Sequence, residues 1–126
     1  MLSEKYIHKT VVKNAFTHPL MKELLLHIPN GGYRHPIEAR ELRLMGVRKG
    51  VSDLFLPALT KNYPGLWLEL KTETGTLKPE QENWLIKMRQ NGYAAEVTRS
   101  VEESIDLLLS YLDNQYKPIS ILNYRI

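Results

Sequence analysis

Asp53, Glu69 and Lys71 are the residues of this chain whose types and spacing suit chemistry. Asp53 opens an apolar run, Leu54-Phe55-Leu56. Sixteen residues later Glu69 and Lys71 sit in a second run, Leu-Trp-Leu-Glu-Leu-Lys. Side chains on a strand alternate faces, so Glu69 and Lys71 share one face and Leu68 and Leu70 the other. If the two runs pair as a hairpin, Asp53 stands beside Glu69. Two neighbouring carboxylates repel unless something positive lies between them. A hard divalent cation with oxygen ligands, Mg²⁺ or Mn²⁺, fills that role, and the backbone carbonyl of Leu70 offers one more oxygen. A bound cation lowers the pKa of its water and offsets charge developing on a phosphate. Lys71 points at the same place, where it can orient the attacking water or neutralise the phosphorus centre. Phosphodiester hydrolysis requires those parts. Each signal alone is weak: Glu-x-Lys on a strand is commonly a solvated ion pair, and Asp before an apolar run is commonly a turn residue.

The elements that must carry these residues follow from pattern. The chain has 126 residues, 43% of them apolar and 25% charged, which suits one domain with one core. Residues 3–15 read as a helix with Ser3 as N-cap, and Tyr6 or Ile7, Thr10, Val11 and Ala15 form its buried stripe. Glu4, in the first turn, complements the helix dipole. Thr17-His18-Pro19 breaks that helix, and residues 24–28 read best as a short buried strand. Asn30-Gly31-Gly32 is a turn whose amides can receive a phosphate. Residues 36–45 read as a second helix from Pro36 to before Gly46, with Ile37, Leu42 and Met45 facing inward. Strands are expected at 53–56 and 66–71, a third helix at 79–90 with Trp84, Leu85 and Met88 on its apolar side, and a fourth strand at 93–98. Ser100-Val-Glu-Glu103 is a capping box opening a fourth helix, with Ile105, Leu108, Leu109 and Leu112 as its core stripe. The segment 113–126 is a tail, an extra strand or a dimer contact. The order is αβαββαβα, an α/β fold with the acidic pair at the centre of a mixed sheet.

Net charge is +3 and the isoelectric point about 9.1, compatible with a polyanionic partner. Arg34, Arg40, Arg43, Arg48 and Lys49 fall within sixteen residues, a phosphate-facing patch or simply a solvated charged face. There is no cysteine, which excludes disulfides and thiolate metal sites and fits a reducing cytoplasm. No apolar run approaches a transmembrane span, and residues 1–6 show no signal-peptide pattern.

Four stretches together resemble the VRR-NUC domain, the virus-type replication–repair nuclease branch of the PD-(D/E)XK superfamily. They are His27-Ile-Pro-Asn-Gly-Gly32, Gly46-Val-Arg-Lys-Gly-Val-Ser-Asp-Leu-Phe-Leu56, Leu68-Glu-Leu-Lys71 and Pro79-Glu-Gln-Glu-Asn-Trp-Leu85. The resemblance runs from about Glu4 to Leu112 and makes residues 1–112 the nuclease domain. It implies a restriction-endonuclease-like core, a central mixed four-stranded sheet flanked by helices. Asp53, Glu69 and Lys71 become the catalytic core, Gln81 a residue reaching the attacking water or the phosphate, and Glu4 a further metal-side carboxylate. His27, Asn30, Gly31, Arg34, Arg48 and Lys49 become DNA contacts. The implied protein is a Mg²⁺- or Mn²⁺-dependent DNA endonuclease of phage or bacterial type, working in the bacterial cytoplasm. It would be a homodimer cutting structured or branched DNA such as a four-way (Holliday) junction. The sequence departs from the family in Ser52, where proline is usual, in Lys78, where a serine cap is usual, and in His8, where glutamine is frequent. Lys78 has no side-chain acceptor, which weakens a capping role for Gln81. The first rival is a DNA-binding module of the same fold that does not cut, and the intact Asp53, Glu69, Lys71 set argues against it. An inert α/β scaffold and a phosphatase or nucleotide hydrolase are the others, the last weakened by the lack of a Walker-type loop.

Overall fold

The computed structural model describes residues 1–29 and 35–118. The order is α1 Glu4–Ala15, α2 Pro19–Leu24, β1 Leu26–His27, α3 Pro36–Leu44, β2 Leu54–Leu56, β3 Leu66–Leu70, α4 Pro79–Gln90, β4 Ala94–Thr98 and α5 Val101–Leu112. The four strands form one mixed sheet in the order β1-β2-β3-β4. β1/β2 and β2/β3 pair antiparallel, and β3/β4 pair parallel across the α4 connection.

Alternation along β3 decides the layers. Leu66, Leu68 and Leu70 face α1 and α5 and pack with Ile7, Val11, Leu107, Leu108 and Tyr111. Trp67 faces the other way, toward Leu85 and Met88 of α4. The sheet is thus covered on both sides, and Glu69 shares the α4 side by its parity with Trp67. The helices start where their caps are satisfied. Tyr6 N–H donates to Ser3 Oγ at 3.0 Å, and Glu103 N–H to Ser100 Oγ at 3.1 Å.

Several expectations need correction. Residues 19–24 form a helix, so the strand expected at 24–28 begins only after it. Pro19 occupies its first turn, and Leu20 N–H donates to His18 Nδ1 at 3.2 Å, so His18 caps it. The strand that follows has two residues, both exposed, and only Leu25 and Met21 enter the core. α3 has no buried residue: Ile37 is 69% and Met45 80% exposed, so this helix lies outside the packed layers. The stripe of α5 runs through Ser104, Leu107, Leu108 and Tyr111, and Leu109 faces out. Glu103 completes its box one residue early, accepting from Arg99 N–H at 2.7 Å. The Asn30-Gly31-Gly32 turn, Arg34 and the apolar run at 119–122 lie outside the described residues.

The segment after α5 is latched to the sheet. Asn114 Oδ1 accepts from Lys61 N–H at 2.7 Å, and Tyr116 is buried against Tyr63 and Tyr111. The Tyr116 hydroxyl donates to Glu96, which is fully buried on β4 and paired with Arg89 of α4 at 2.9 Å. Arg89 Nε–H also donates to Ala95 O at 2.9 Å, so one side chain occupies the outer edge of the sheet. Removing one partner of a buried pair strands the other charge. Arg89→Met should therefore lower unfolding free energy by about 3–5 kcal/mol, read from urea denaturation followed by far-UV circular dichroism.

Candidate active site

The antiparallel register sets Leu54 opposite Leu68, so Asp53, one residue before β2, lies level with Glu69. Asp53 is fixed at both ends. Its Oδ2 accepts from Leu70 N–H at 2.8 Å. Its carbonyl oxygen accepts from Ile28 N–H at 2.9 Å and from His27 Nδ1–H at 2.7 Å. Glu69 and Lys71 are 2% and 5% exposed, far from a solvated pair, with Nζ 3.8 Å from Oε2. Glu4 arrives from the first turn of α1, whose start Ser3 fixes. One carboxylate oxygen each from Glu4, Asp53 and Glu69 lies within 4.8 Å of the others.

These carboxylates perturb one another. Burial pushes the Glu69 carboxyl up to about 9, and the Asp53 charge, a hydrogen bond with Asp53 and the Glu4 charge add to it, against the opposing pull of Lys71. With no cation between them the Glu69 carboxyl keeps its proton near neutral pH, in a hydrogen bond with Asp53. The donor set tests whether a metal fits. All three ligands are carboxylate oxygens, the hard type that Mg²⁺ and Mn²⁺ prefer. Oxygens on opposite sides of a Mg²⁺ ion lie about 4.2 Å apart, so the observed spacing closes on such an ion with small side-chain motion. The residues fit, and a cation would replace the Glu69 proton.

The other expected residues divide. Gln81 sits in the first turn of α4, and its Oε1 accepts from Lys78 N–H at 2.9 Å. It therefore does cap the helix. The missing acceptor on Lys78 was beside the point, because the bond uses the Lys78 main chain. His27 is exposed and engaged with Asp53, with the His8 ring edge-on at 4.5 Å. Burial, then the neighbouring His27, pushes the His8 pKa down, against the pull of Asp53. Ser52 is fully buried, and its hydroxyl has no partner among the described residues. Asn30, Gly31 and Arg34 lie outside the described residues.

Arg48 and Lys49 line a cleft of about 590 Å³ between the α3–β2 loop and α4, together with Arg43, Asn83, Trp84 and Lys87. Gly50, at φ +86°, lets that loop lie on α4. A Cβ there would stand 2.3 Å from Glu80 O. Lys87 was not expected in the site region. Its spacing of seven from Glu80 and four from Asn83 puts it on the same helix face, a signal legible in the sequence. Arg99 was also missed. Its guanidinium Nη1 donates to Thr72 O at 2.9 Å and to Gly75 O at 2.6 Å, in the turn after Lys71.

Comparison with known proteins agrees with this fold. The family model described as "VRR-NUC domain" matches residues 3–102. A solved structure described as "VRR_NUC domain protein" superposes with a TM-score of 0.79 at 24% identity, covering 90% of each chain. No curated protein matches the chain.

The Glu69 carboxyl is raised above its ordinary 4.5 in the folded protein, so the folded state binds more protons than the unfolded one at higher pH. Stability without metal is then fully present below about pH 4.5 and falls as pH rises toward 9. The slope should not exceed about 1.4 kcal/mol per pH unit, the limit for one proton. Melting temperatures in EDTA from pH 5 to 9 should fall for the native chain and flatten in Glu69→Gln. Added Mn²⁺ should restore the native chain most at the alkaline end.

Proposed function

The chain belongs to the VRR-NUC family, and on that premise we propose that it is a metal-dependent DNA endonuclease acting on structured or branched DNA. The observation that carries this reading is the convergence of Glu4, Asp53 and Glu69, with Lys71 Nζ 3.8 Å from Glu69. Glu4, Asp53, Glu69 and the Leu70 carbonyl would hold Mg²⁺ or Mn²⁺. When bound, the ion polarises a water and offsets charge growing on the phosphate. Lys71, buried beside Glu69, supplies a fixed positive charge at that centre. Gln81 spends its carboxamide oxygen on the α4 cap, so its part at the site is that of an amide donor.

DNA approaches along the α4 side of the sheet. Arg48 and Lys49 bind backbone phosphates there, in the cleft that Arg43 and Lys87 also line. His27, exposed beside Asp53, meets the same backbone, as do Asn30, Gly31 and Arg34. Symmetric cutting of a four-way junction requires two sites related by a twofold axis, so the working form is a homodimer. The exposed Ile37, Leu44 and Met45 at α3 offer apolar surface for it. No described helix is long and apolar enough to cross a membrane.

Labelled linear duplex, single-stranded and four-way-junction DNA, each with Mg²⁺, Mn²⁺ or EDTA, test the reading. Cutting should require metal and be fastest on the junction. Glu69→Ala should abolish it, and Lys71→Ala should slow it by about 10²- to 10³-fold. Binding without cutting under every metal would replace the enzyme with a non-catalytic DNA-binding module. Replacing Arg48 and Lys49 together by Ala should weaken binding to all three DNAs and reduce the salt slope by about 2.

A further inference from the structure

We propose that Arg99 is a positioning residue for Lys71, acting through the turn that follows it; this rests on the nuclease reading. Arg99 stands between the last residue of β4 and the start of α5. Both bonds from its Nη1 go to main-chain oxygens of one turn, Thr72 O and Gly75 O, at 2.9 and 2.6 Å. Gly75 N–H donates back to Thr72 O at 3.2 Å, so the turn is closed on itself as well as held from outside. Charge-assisted bonds of this kind are the stronger ones.

The turn lies directly on Lys71. A Cβ placed on Gly75 would meet Thr72 Oγ1 at 3.0 Å and Lys71 Cβ at 3.6 Å. On its other side the Lys71 peptide is held by its own N–H, which donates to Thr98 O at 2.9 Å. Residues 98 and 99 therefore grip the chain immediately before and immediately after the Lys71 side chain. The corner that supplies this grip is itself tied. Thr98 Oγ1 and Ser104 Oγ share a buried hydrogen bond of 2.7 Å, Ser104 Oγ donates to Ser100 O at 2.6 Å, and Glu103 accepts from Arg99 N–H at 2.7 Å.

A lysine has four rotatable side-chain bonds, so the position of its ammonium depends on where its backbone is held. A catalytic group displaced by about 1 Å can cost 10²-fold in rate. Arg99 is partly buried and both hydrogens of its Nη1 are spent on the turn, so that nitrogen acts as a strut for the turn that follows Lys71.

The test uses Arg99→Met, Arg99→Lys and Gly75→Ala in the full chain. Turnover is measured with Mg²⁺ on the DNA that the native chain cuts fastest, beside amide hydrogen exchange. For Arg99→Met, kcat should fall ten- to a hundredfold with KM and the salt slope of binding unchanged. The Gly75 amide should exchange at least tenfold faster while the Leu68 and Leu107 amides keep native rates. Arg99→Lys should recover part of kcat, since an ammonium can still reach a carbonyl. Gly75→Ala should lower kcat with unchanged KM by disturbing the turn from its other side. A raised KM and reduced salt slope with native kcat would overturn the proposal and make Arg99 a DNA contact. Fast Gly75 exchange with native kcat would overturn it too. If Arg99→Met unfolds, native kcat in both Arg99→Lys and Gly75→Ala overturns the proposal, and the kcat-only loss supports it. Should the native chain cut nothing, the nuclease reading fails separately, and unchanged Gly75 exchange in Arg99→Met would still overturn the clamp.

Discussion

The pairing of β2 with β3 is the constraint on which the site depends. It puts two carboxylates at the same level of the sheet, one of them almost fully buried. Left alone, that arrangement is unfavourable. It is tolerable because Leu70 N–H bonds Asp53, Lys71 lies by Glu69, and the Glu69 carboxyl can keep its proton. The cost of assembling the acids is met by the leucines on the opposite face of the same strand, which anchor β3 between α1 and α5. The site is thus paid for by a core that alternates with it, residue by residue.

The surroundings narrow what can relieve that strain. Asp53 cannot swing away, because its carbonyl is bonded by both Ile28 and His27. Glu4 is delivered by a helix whose other residues, Ile7, Val11 and Ala15, are in the core. Three acids held from three directions respond to a cation more readily than three mobile ones would, since little ordering remains to be done on binding. The same logic explains the loop before Asp53. Gly50 lets its backbone lie on the Glu80 carbonyl, joining the loop to α4 and shaping the basic cleft with no side chain between.

Much of this was legible in the sequence, because strands and capped helices write local patterns. Alternation gave the faces of β3, and Ser3 and Ser100 marked true helix starts. The errors came where a local pattern had more than one tertiary outcome. Leu24 to Ile28 is apolar enough for a buried strand, yet proline at 19 and the His18 cap favour a helix that takes Leu24. Ile37, Leu42 and Met45 could have faced a core, but nothing in the sequence says whether a layer lies above α3. Gln81 caps α4 through the Lys78 main-chain N–H, a partner that no side-chain type at position 78 announces.

Arg99 was invisible for a different reason. Its partners are carbonyl oxygens twenty-four and twenty-seven residues away, and a carbonyl has no residue type to recognise. The parallel pairing of β3 and β4 brings them together, with Leu70 beside Thr98. In such a pair the ends of both strands finish at the same edge, so the residue after one strand naturally meets the turn after the other. Lys71 and Arg99 stand at that shared edge, each just past its strand. The crossover that buries Trp67 under α4 also supplies the brace for the lysine that follows. Side chains at the carboxyl ends of paired parallel strands gain this support from topology, before any residue is chosen to provide it.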